Sequence, residues 1–266
     1  FHPTPCLFHE AEELLFLYAN RFPMPEPLHP ISPYYIPAPE LARMTEEACR
    51  DIPLEDPTLR YFFQAYSLPH EGIEPYTCLA RILAFSFAEL HSPCASQAVA
   101  SMQQTLESLV REDYIFEELH TKTINFRPRD QVNSEFPDNG IRHLSAPVSF
   151  QEKLQAVLDA PGEILPRLAT LMEPIMEYLR QALVPWVIRA KPMVQAWEAR
   201  MRSQPPADFF LEVLRYPLPT PASVEAGILY FSPKMIMIGT NNDNSAMKLM
   251  IGSSAGVPWL LESEEF

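Results

Sequence analysis

The chain has 266 residues, of which 47% are hydrophobic and 20% are charged, and its formal net charge at pH 7 is −14. This length suits one large domain or two small ones, and the acidic excess argues against the chain alone gripping nucleic acid or an anionic membrane. Without an 18-residue apolar run, a signal-peptide pattern or a C-x-x-C pair, we expect a cytoplasmic protein with free thiols at its four cysteines.

Proline and glycine usage favours helices joined by rigid connections. The sequence contains 29 prolines and only 7 glycines. Glycine supplies the positive φ angles of tight turns, whereas proline suits helix starts and extended segments. The predicted fold class is therefore mainly α, a multi-helix domain with a small antiparallel β-hairpin near the C-terminus.

The N-terminal region, residues 1–124, is predicted to be helical. Its first helix spans 7–20, where apolar residues recur at helical spacing while Glu10, Glu12 and Glu13 lie mainly off the apolar stripe. Seven prolines then predict an extended strap over 22–39, pinned to the body by Tyr34, Tyr35 and Ile36, or alternatively a docking peptide for a proline-reading partner. Asp56-Pro57 and Ser92-Pro93 each place a capping side chain before a proline at the first helical position, and with apolar spacing they predict further helices at 39–51, 56–67, 75–91 and 93–120.

The segment 125–147 is polar and rich in turn residues, which predicts a loop or a domain boundary. The region 147–266 follows it, and the two regions can also form one continuous domain. A capping box formed by Ser149 and Glu152 predicts a helix at 149–160. Broken or kinked helices are then expected up to residue 201 because of prolines at positions 161, 166, 174, 185 and 192.

The sequence changes character after Pro221. The segment PADFFLEVLRY predicts a last short helix before that point, and β-branched and aromatic runs follow it. The runs KMIMIG and AMKLMIG flank the turn cluster NNDNS, which predicts an antiparallel β-hairpin of 234–239 with 247–252, within 227–252.

The stretch MIGSSAG places Gly252, Ser254 and Gly256 in the G-x-S-x-G pattern of a nucleophilic serine. In hydrolases with that pattern the acid and the histidine follow the serine, but all seven histidines here precede it. Pro258 also disturbs the helix that should come next. We interpret Ser254 as part of a turn closing a hairpin strand, and a hydrolase that uses Ser254 is the alternative hypothesis.

The histidines and cysteines match no metal motif. His9 and Glu13 stand one helical turn apart beside Glu10, but the second histidine of H-E-x-x-H is missing. His91 and Cys94 have H-x-x-C spacing across a helix junction, without a second pair to complete four ligands. The sequence contains no glycine-rich phosphate loop either. We predict no catalytic residue, no metal site and no cofactor.

Two further polar residues, His120 and Arg81, are predicted to have structural roles. His120 is predicted near a helix end, where it would complement the helix dipole. Arg81 lies inside the apolar stretch CLARILAFSFAEL, and a buried charge must be paired. A structural salt bridge is favoured for Arg81, with a clamp for a ligand carboxylate as the alternative.

The order of segments resembles a known family. The chain starts FHPTPCLFHEAEELLFLYAN, continues through LVPWVIRAKPMVQAWEARM and closes with ILYFSPKMIMIG and MKLMIG, including Phe231-Ser232-Pro233. This arrangement is similar to the N-terminal helical portion of ArsR-like winged-helix transcriptional regulators, although no winged helix is present in the sequence.

The resemblance implies a sensory or dimerisation module, with the DNA-binding part following LLESEEF. It implies a homodimer and a small-molecule effector, and it carries over no functional residue. The long 93–120 helix and the methionine-rich hairpin are the expected dimer surfaces, although each can equally pack within the chain. We therefore predict a noncatalytic regulatory module of a bacterial transcriptional regulator, which does not bind nucleic acid or membrane by itself.

Overall fold

The computed structural model describes residues 5–26, 34–67, 76–118, 124–131, 139–214, 223–240 and 246–254. The helices in these ranges are α1 (Leu7–Asn20), α2 (Ala38–Ala48), α3 (Pro57–Phe63), α4 (Leu79–Phe87), α5 (Ala95–Arg111), α6 (Val148–Asp159), α7 (Pro161–Ala182), α8 (Val184–Ser203) and α9 (Pro206–Leu214). The strands are β1 (Tyr66–Ser67), β2 (Tyr76–Thr77), β3 (Tyr114–Glu118), β4 (Ile124–Pro128), β5 (Ser223–Leu229), β6 (Ile236–Thr240) and β7 (Ala246–Gly252). The mainly α prediction is confirmed, and no helix among the described residues is long and apolar enough to cross a bilayer.

Helix α7 is the centre of the helical packing. It contacts α1, α2, α3, α5 and α6, and its buried positions Leu165, Leu168, Met172 and Leu179 recur at helical spacing. The buried apolar cluster around it contains side chains from both predicted regions.

Broken or kinked helices were expected at the prolines, and the helices are not broken at three of them. Pro166 and Pro174 lie inside α7 and Pro192 lies inside α8. The chain instead leaves helical pairing at Leu183, between α7 and α8, and Pro185 falls in the first turn of α8. A proline costs a helix one hydrogen bond, and the packing of the apolar face of this 22-residue helix outweighs that loss.

Two of the three predicted helix starts need correction. Asp56 does cap α3, since its carboxylate accepts hydrogen bonds from the amides of Thr58 and Leu59, both at 2.8 Å. Helix α5, however, begins after Ser92-Pro93, and its first amide donates to the Glu173 carboxylate of α7 at 2.9 Å. Ser149 does not cap α6, which begins at Val148.

The predicted helix 93–120 was also too long. Helix α5 ends at Arg111, Asp113 adopts a φ of 54°, and the chain continues as β3. Strand β3 pairs antiparallel with β4, which lies in the segment predicted to be a loop. Ile115 and Phe116 are buried by this pairing, so tertiary contacts override a helical pattern that was strong locally. His120 lies outside the described residues.

Three of the predicted helices and the predicted strap have mixed outcomes. Helix 7–20 is confirmed at both ends, whereas helices 56–67 and 75–91 are shorter than predicted because Tyr66–Ser67 and Tyr76–Thr77 pair as β1 and β2. In the strap, Ile36 is fully buried and Tyr34 packs against the core, as expected, and residues 27–33 lie outside the described part of the chain.

The C-terminal sheet contains the predicted hairpin and one more strand. Strands β6 and β7 pair antiparallel, which confirms the hairpin, but β5 pairs parallel to β7, so the sheet is three-stranded and mixed in the order β5-β7-β6. Two parallel strands cannot be joined by a tight turn. The pairing of β5 with β7 therefore leaves no turn signal in the sequence from which it could be predicted. Tyr230–Pro233, which we call the docking loop, follows β5 directly.

Candidate functional site

Helix α1 buries its polar face as well as its apolar face. Glu10 is 0% exposed, and His9 and Glu12 are each 4% exposed. These acidic residues were predicted to lie mainly off the apolar stripe, and they are buried nevertheless because α3, α4, α7 and the docking loop all pack against α1. We call Glu10, Glu12, Glu13 and Arg81 the acidic cluster.

Arg81 of α4 holds two carboxylates of α1. Its Nε lies 3.2 Å from Glu12 Oε1, and its terminal nitrogen donates to Glu13. The guanidinium also stacks 4.1 Å from the ring centroid of Phe16, and the Cys78 thiol donates to Glu12 at 3.7 Å. The predicted structural salt bridge is confirmed, with both partners supplied by the first helix.

Glu10 holds the docking loop. Its two carboxylate oxygens accept hydrogen bonds from the backbone amides of Tyr230 at 2.7 Å and Phe231 at 2.9 Å. The Ser232 side chain hydrogen-bonds to Glu13. Three consecutive residues of the loop thus bind carboxylates that lie on adjacent turns of α1.

Ser254 fixes the far side of the same loop. It is fully buried, and both its amide and its hydroxyl donate to the Pro233 carbonyl, at 2.9 and 2.8 Å. Gly252 is required beside it, because a Cβ there would lie 2.3 Å from the Pro233 carbonyl oxygen. The Gly252 and Ser254 positions of the G-x-S-x-G pattern therefore seat the docking loop, while Gly256 and Pro258 lie outside the described residues.

A second polar group lies where β5 meets the N-terminal residues. A Cβ on Gly227 would lie 2.2 Å from Cys6 Sγ and 3.1 Å from the His91 ring, so both side chains press on bare backbone. Burial lowers the pKa of His9 to about 3, with nearby Lys248 and His91 adding to the effect, so His9 is neutral. Lys248 itself donates to the Ala88 carbonyl at 2.9 Å.

The structure does not bring the predicted metal candidates together into a site. Within the described ranges no group of three or more His, Cys, Asp or Glu side chains is placed to hold a metal ion. His91 faces Gly227, whereas Cys94 immediately precedes α5. The thiols of Cys6, Cys49, Cys78 and Cys94 are all free, as predicted.

The acidic cluster has more negative than positive groups. Burial raises the pKa of Glu10 to about 8, against the opposing effect of its two amide donors. Burial likewise raises the pKa of Glu12 to about 7 and raises that of Glu13, although Arg81 lowers both. Chemically, this arrangement can exchange a proton near neutral pH and can couple that exchange to the seating of the docking loop.

An open surface pocket lies away from this cluster, at the turn between α5 and β3. It has a volume of about 340 Å³ and is lined by Glu112, Asp113, Tyr114, Pro128, Arg129 and Asp130. Asp113 and Arg129 form an ion pair of 2.7 Å there, which joins the turn to the residue that follows β4.

No family model, curated protein or solved structure matches the chain. The proposed function therefore rests on the contacts between α1 and the docking loop.

Proposed function

We propose that the chain is a cytoplasmic, noncatalytic regulatory module of a bacterial transcriptional regulator that responds to a small-molecule effector. The observation that carries the proposal is the use of Glu10, Glu13 and Ser254, which all bind the docking loop. These contacts tie the first helix to the C-terminal sheet, so a change in α1 is passed to β5 and β7. Elements linked in this way can act as one switching unit.

The geometry at Ser254 supports a structural role over the alternative hydrolase. A nucleophilic serine needs an accessible hydroxyl that is oriented by a base. The Ser254 hydroxyl is instead buried and donates to a backbone carbonyl. The carboxylates that bind the same loop, Glu13 and Glu10, are engaged by Arg81 and by loop amides.

The dimer surface of this proposal is the outer face of α8. The apolar side of α5 is buried, and so are Met247 and Met250 of the hairpin. On α8, Val184 and Ile188 lie one helical turn apart and are 49% and 67% exposed. We place a second copy of the chain against this aliphatic pair.

Sedimentation equilibrium of three proteins tests the dimer. We expect the wild type to dimerise, Ile188→Asp to be monomeric, and Val110→Asp, which alters an aliphatic residue 57% exposed on α5, to behave as the wild type. If only Val110→Asp made the protein monomeric, the dimer surface would lie on α5 instead of α8. If the wild type were a monomer at tens of micromolar, the dimer would be contradicted.

Deletion of the gene in its host, followed by transcript measurement, tests the regulatory function. We expect altered levels for a small set of transcripts, restored by the wild-type gene and not by a gene encoding Arg81→Met, which disrupts the acidic cluster. Unchanged transcripts would contradict a role in transcription. The net charge of −14 also predicts that the purified chain leaves duplex DNA unshifted in gels at physiological salt.

A further inference from the structure

Two cations and two phenols lie together where α3, β1, α6 and α7 meet. Lys153 Nζ of α6 is 5.3 Å from the ring centroids of both Tyr61 and Tyr66, and the Arg167 guanidinium of α7 is 5.4 Å from the Tyr61 centroid. A cation at this distance is attracted by the negative face of the ring. We call these four residues the cation group.

The positive charge of the cation group is not balanced by a carboxylate. Among the described residues no Asp or Glu side chain forms an ion pair with Lys153 or Arg167. The oxygens that Lys153 contacts are uncharged, namely the Arg60 carbonyl at 3.3 Å and Gln64 Oε1 at 3.4 Å. In a chain with a net charge of −14, two neighbouring cations without a counter-ion are a place where an anion from solution can bind.

The Tyr66 hydroxyl is a second, independent sign of a missing ligand. Tyr66 is 5% exposed, and its hydroxyl makes no hydrogen bond within the part of the chain that the structure describes. A buried hydroxyl without a partner is costly. It belongs to a ring that Lys153 covers, so an oxyanion held beside Lys153 supplies an acceptor in this region.

We propose that the cation group binds a small molecule through a phosphate group, and that this molecule is the effector of the proposed regulatory function. A phosphate group carries about −1.5 to −2 charges at pH 7, which two cations balance, whereas a carboxylate balances only one. Its several oxygens also suit an ammonium, a guanidinium and a hydroxyl as donors. The role as effector rests on the proposed function, but the binding does not.

The position of the cation group connects it to the docking loop. Helices α3 and α7, which carry Tyr61 and Arg167, both pack against α1. Glu10 of α1 in turn binds the docking loop. An anion that draws Lys153 and Arg167 together therefore acts on elements that contact α1, as an effector of the loop must.

The phosphorus-NMR line width of inorganic phosphate, measured with added protein at pH 7, tests the site. In the wild type we expect saturable broadening at millimolar phosphate. Lys153→Met and Arg167→Met should each weaken binding about tenfold, because each removes a charged donor. Arg189→Met is the matched control: Arg189 lies 4.8 Å from the Trp186 ring centroid in the same kind of contact, without a second cation over that ring among the described residues, and its loss should leave binding unchanged.

Three results would overturn the proposal: no saturable broadening in the wild type, equal binding by the wild type and the two cation-group variants, or an equal loss in Arg189→Met. Tyr66→Phe decides the matter if a Met variant fails to fold. It removes only the hydroxyl and should weaken binding several-fold, and unchanged binding by Tyr66→Phe would then overturn the proposal.

Competition by phenyl phosphate and by acetate identifies the ligand more closely. Tighter binding of phenyl phosphate than of inorganic phosphate would indicate an organic phosphate, equal binding would indicate phosphate itself, and tighter binding of acetate would overturn the choice of phosphate. The transcript measurement separates this proposal from the proposed function. Phosphate binding with unchanged transcripts would keep the site and remove its regulatory role, whereas altered transcripts without phosphate binding would remove the site alone.

Discussion

The helical packing around α7 and the junction between α1 and the docking loop are stabilised by different means. Around α7 the buried groups are aliphatic, and neighbouring side chains share the contact area. At the junction Glu10 is buried, Glu13 and Arg81 are largely covered, and each depends on specific partners. In aliphatic packing the cost of a substitution grows with the volume that is removed, whereas removing the partner of a buried ion leaves a charge unpaired even when volume is kept. We therefore expect the junction to be the more sensitive of the two regions.

The largest expected effect is at Arg81. Replacement by Met leaves Glu12 and Glu13 buried without a cation and should lower the free energy of unfolding by about 3–5 kcal/mol. Urea unfolding at pH 7 measures it. Arg43→Met is the control: Arg43 binds Glu40 and Glu47 on the surface with 54% of its side chain exposed, and its loss should cost much less because solvent screens the pair. Similar losses at both positions would remove the contrast between the junction and an exposed ion pair.

A smaller loss is expected from crowding at Gly252. Gly252→Ala puts a methyl group against the carbonyls of Ser232 and Pro233, and should destabilise the protein by about 1–3 kcal/mol. Gly239→Ala in the neighbouring strand meets its nearest atoms at 3.9 Å and should be almost neutral. Thermal unfolding of the two variants compares them. Equal melting temperatures would show that the docking loop is not held closely against Gly252.

The adjacent residues Ser253 and Ser254 differ in their hydrogen bonding, so their substitutions should have different effects on stability. Ser254→Ala removes the hydroxyl that binds the Pro233 carbonyl and should cost about 1 kcal/mol. The Ser253 hydroxyl is buried and makes no hydrogen bond to the described residues, so Ser253→Ala should be neutral or stabilising. Denaturant unfolding gives both values, and a fluorophosphonate probe should leave Ser254 unlabelled. Labelling that Ser254→Ala abolishes would revive the hydrolase.

An effect similar in size to that of Ser254→Ala is expected in the helical region. Asp56→Ala removes the cap of α3 and should cost about 1 kcal/mol, without altering the exchange of the Tyr230 and Phe231 amides at the junction. Exchange measured beside urea unfolding separates the two effects. Faster exchange at those amides in this variant would show that the two regions do not respond separately.

Sequence periodicity predicted the elements whose signals are local. Helix α1 has both of its predicted ends because apolar residues recur through 7–20, and the hairpin of β6 and β7 was found from two apolar runs around a turn cluster. The stop of α5 at Arg111 and the parallel strand β5 were missed. Each depends on a partner that is distant in the sequence, which a local pattern does not contain.

The site was predictable only in part. A charge inside the apolar stretch around Arg81 had to be paired, and it is, but its partners on α1 were not predicted. The available signal was that α1 carries apolar residues next to its acidic ones on several sides, including Phe8, Ala11 and Leu14, as a helix covered all round would. Ser254 was interpreted as part of a turn, but its hydrogen-bond acceptor was not predicted because that residue, Pro233, lies 21 residues earlier.

The long sequence separation between Glu10 and the docking loop has a consequence for biosynthesis. Glu10 meets partners 220 and 221 residues later, so α1 is made long before the loop that covers it. During that interval the side of α1 awaiting the loop presents carboxylates to water, and a nascent chain with an ionised surface resists the association that exposed apolar surface invites. The acidic residues whose burial is costly in the folded protein are therefore expected to oppose aggregation of the nascent chain.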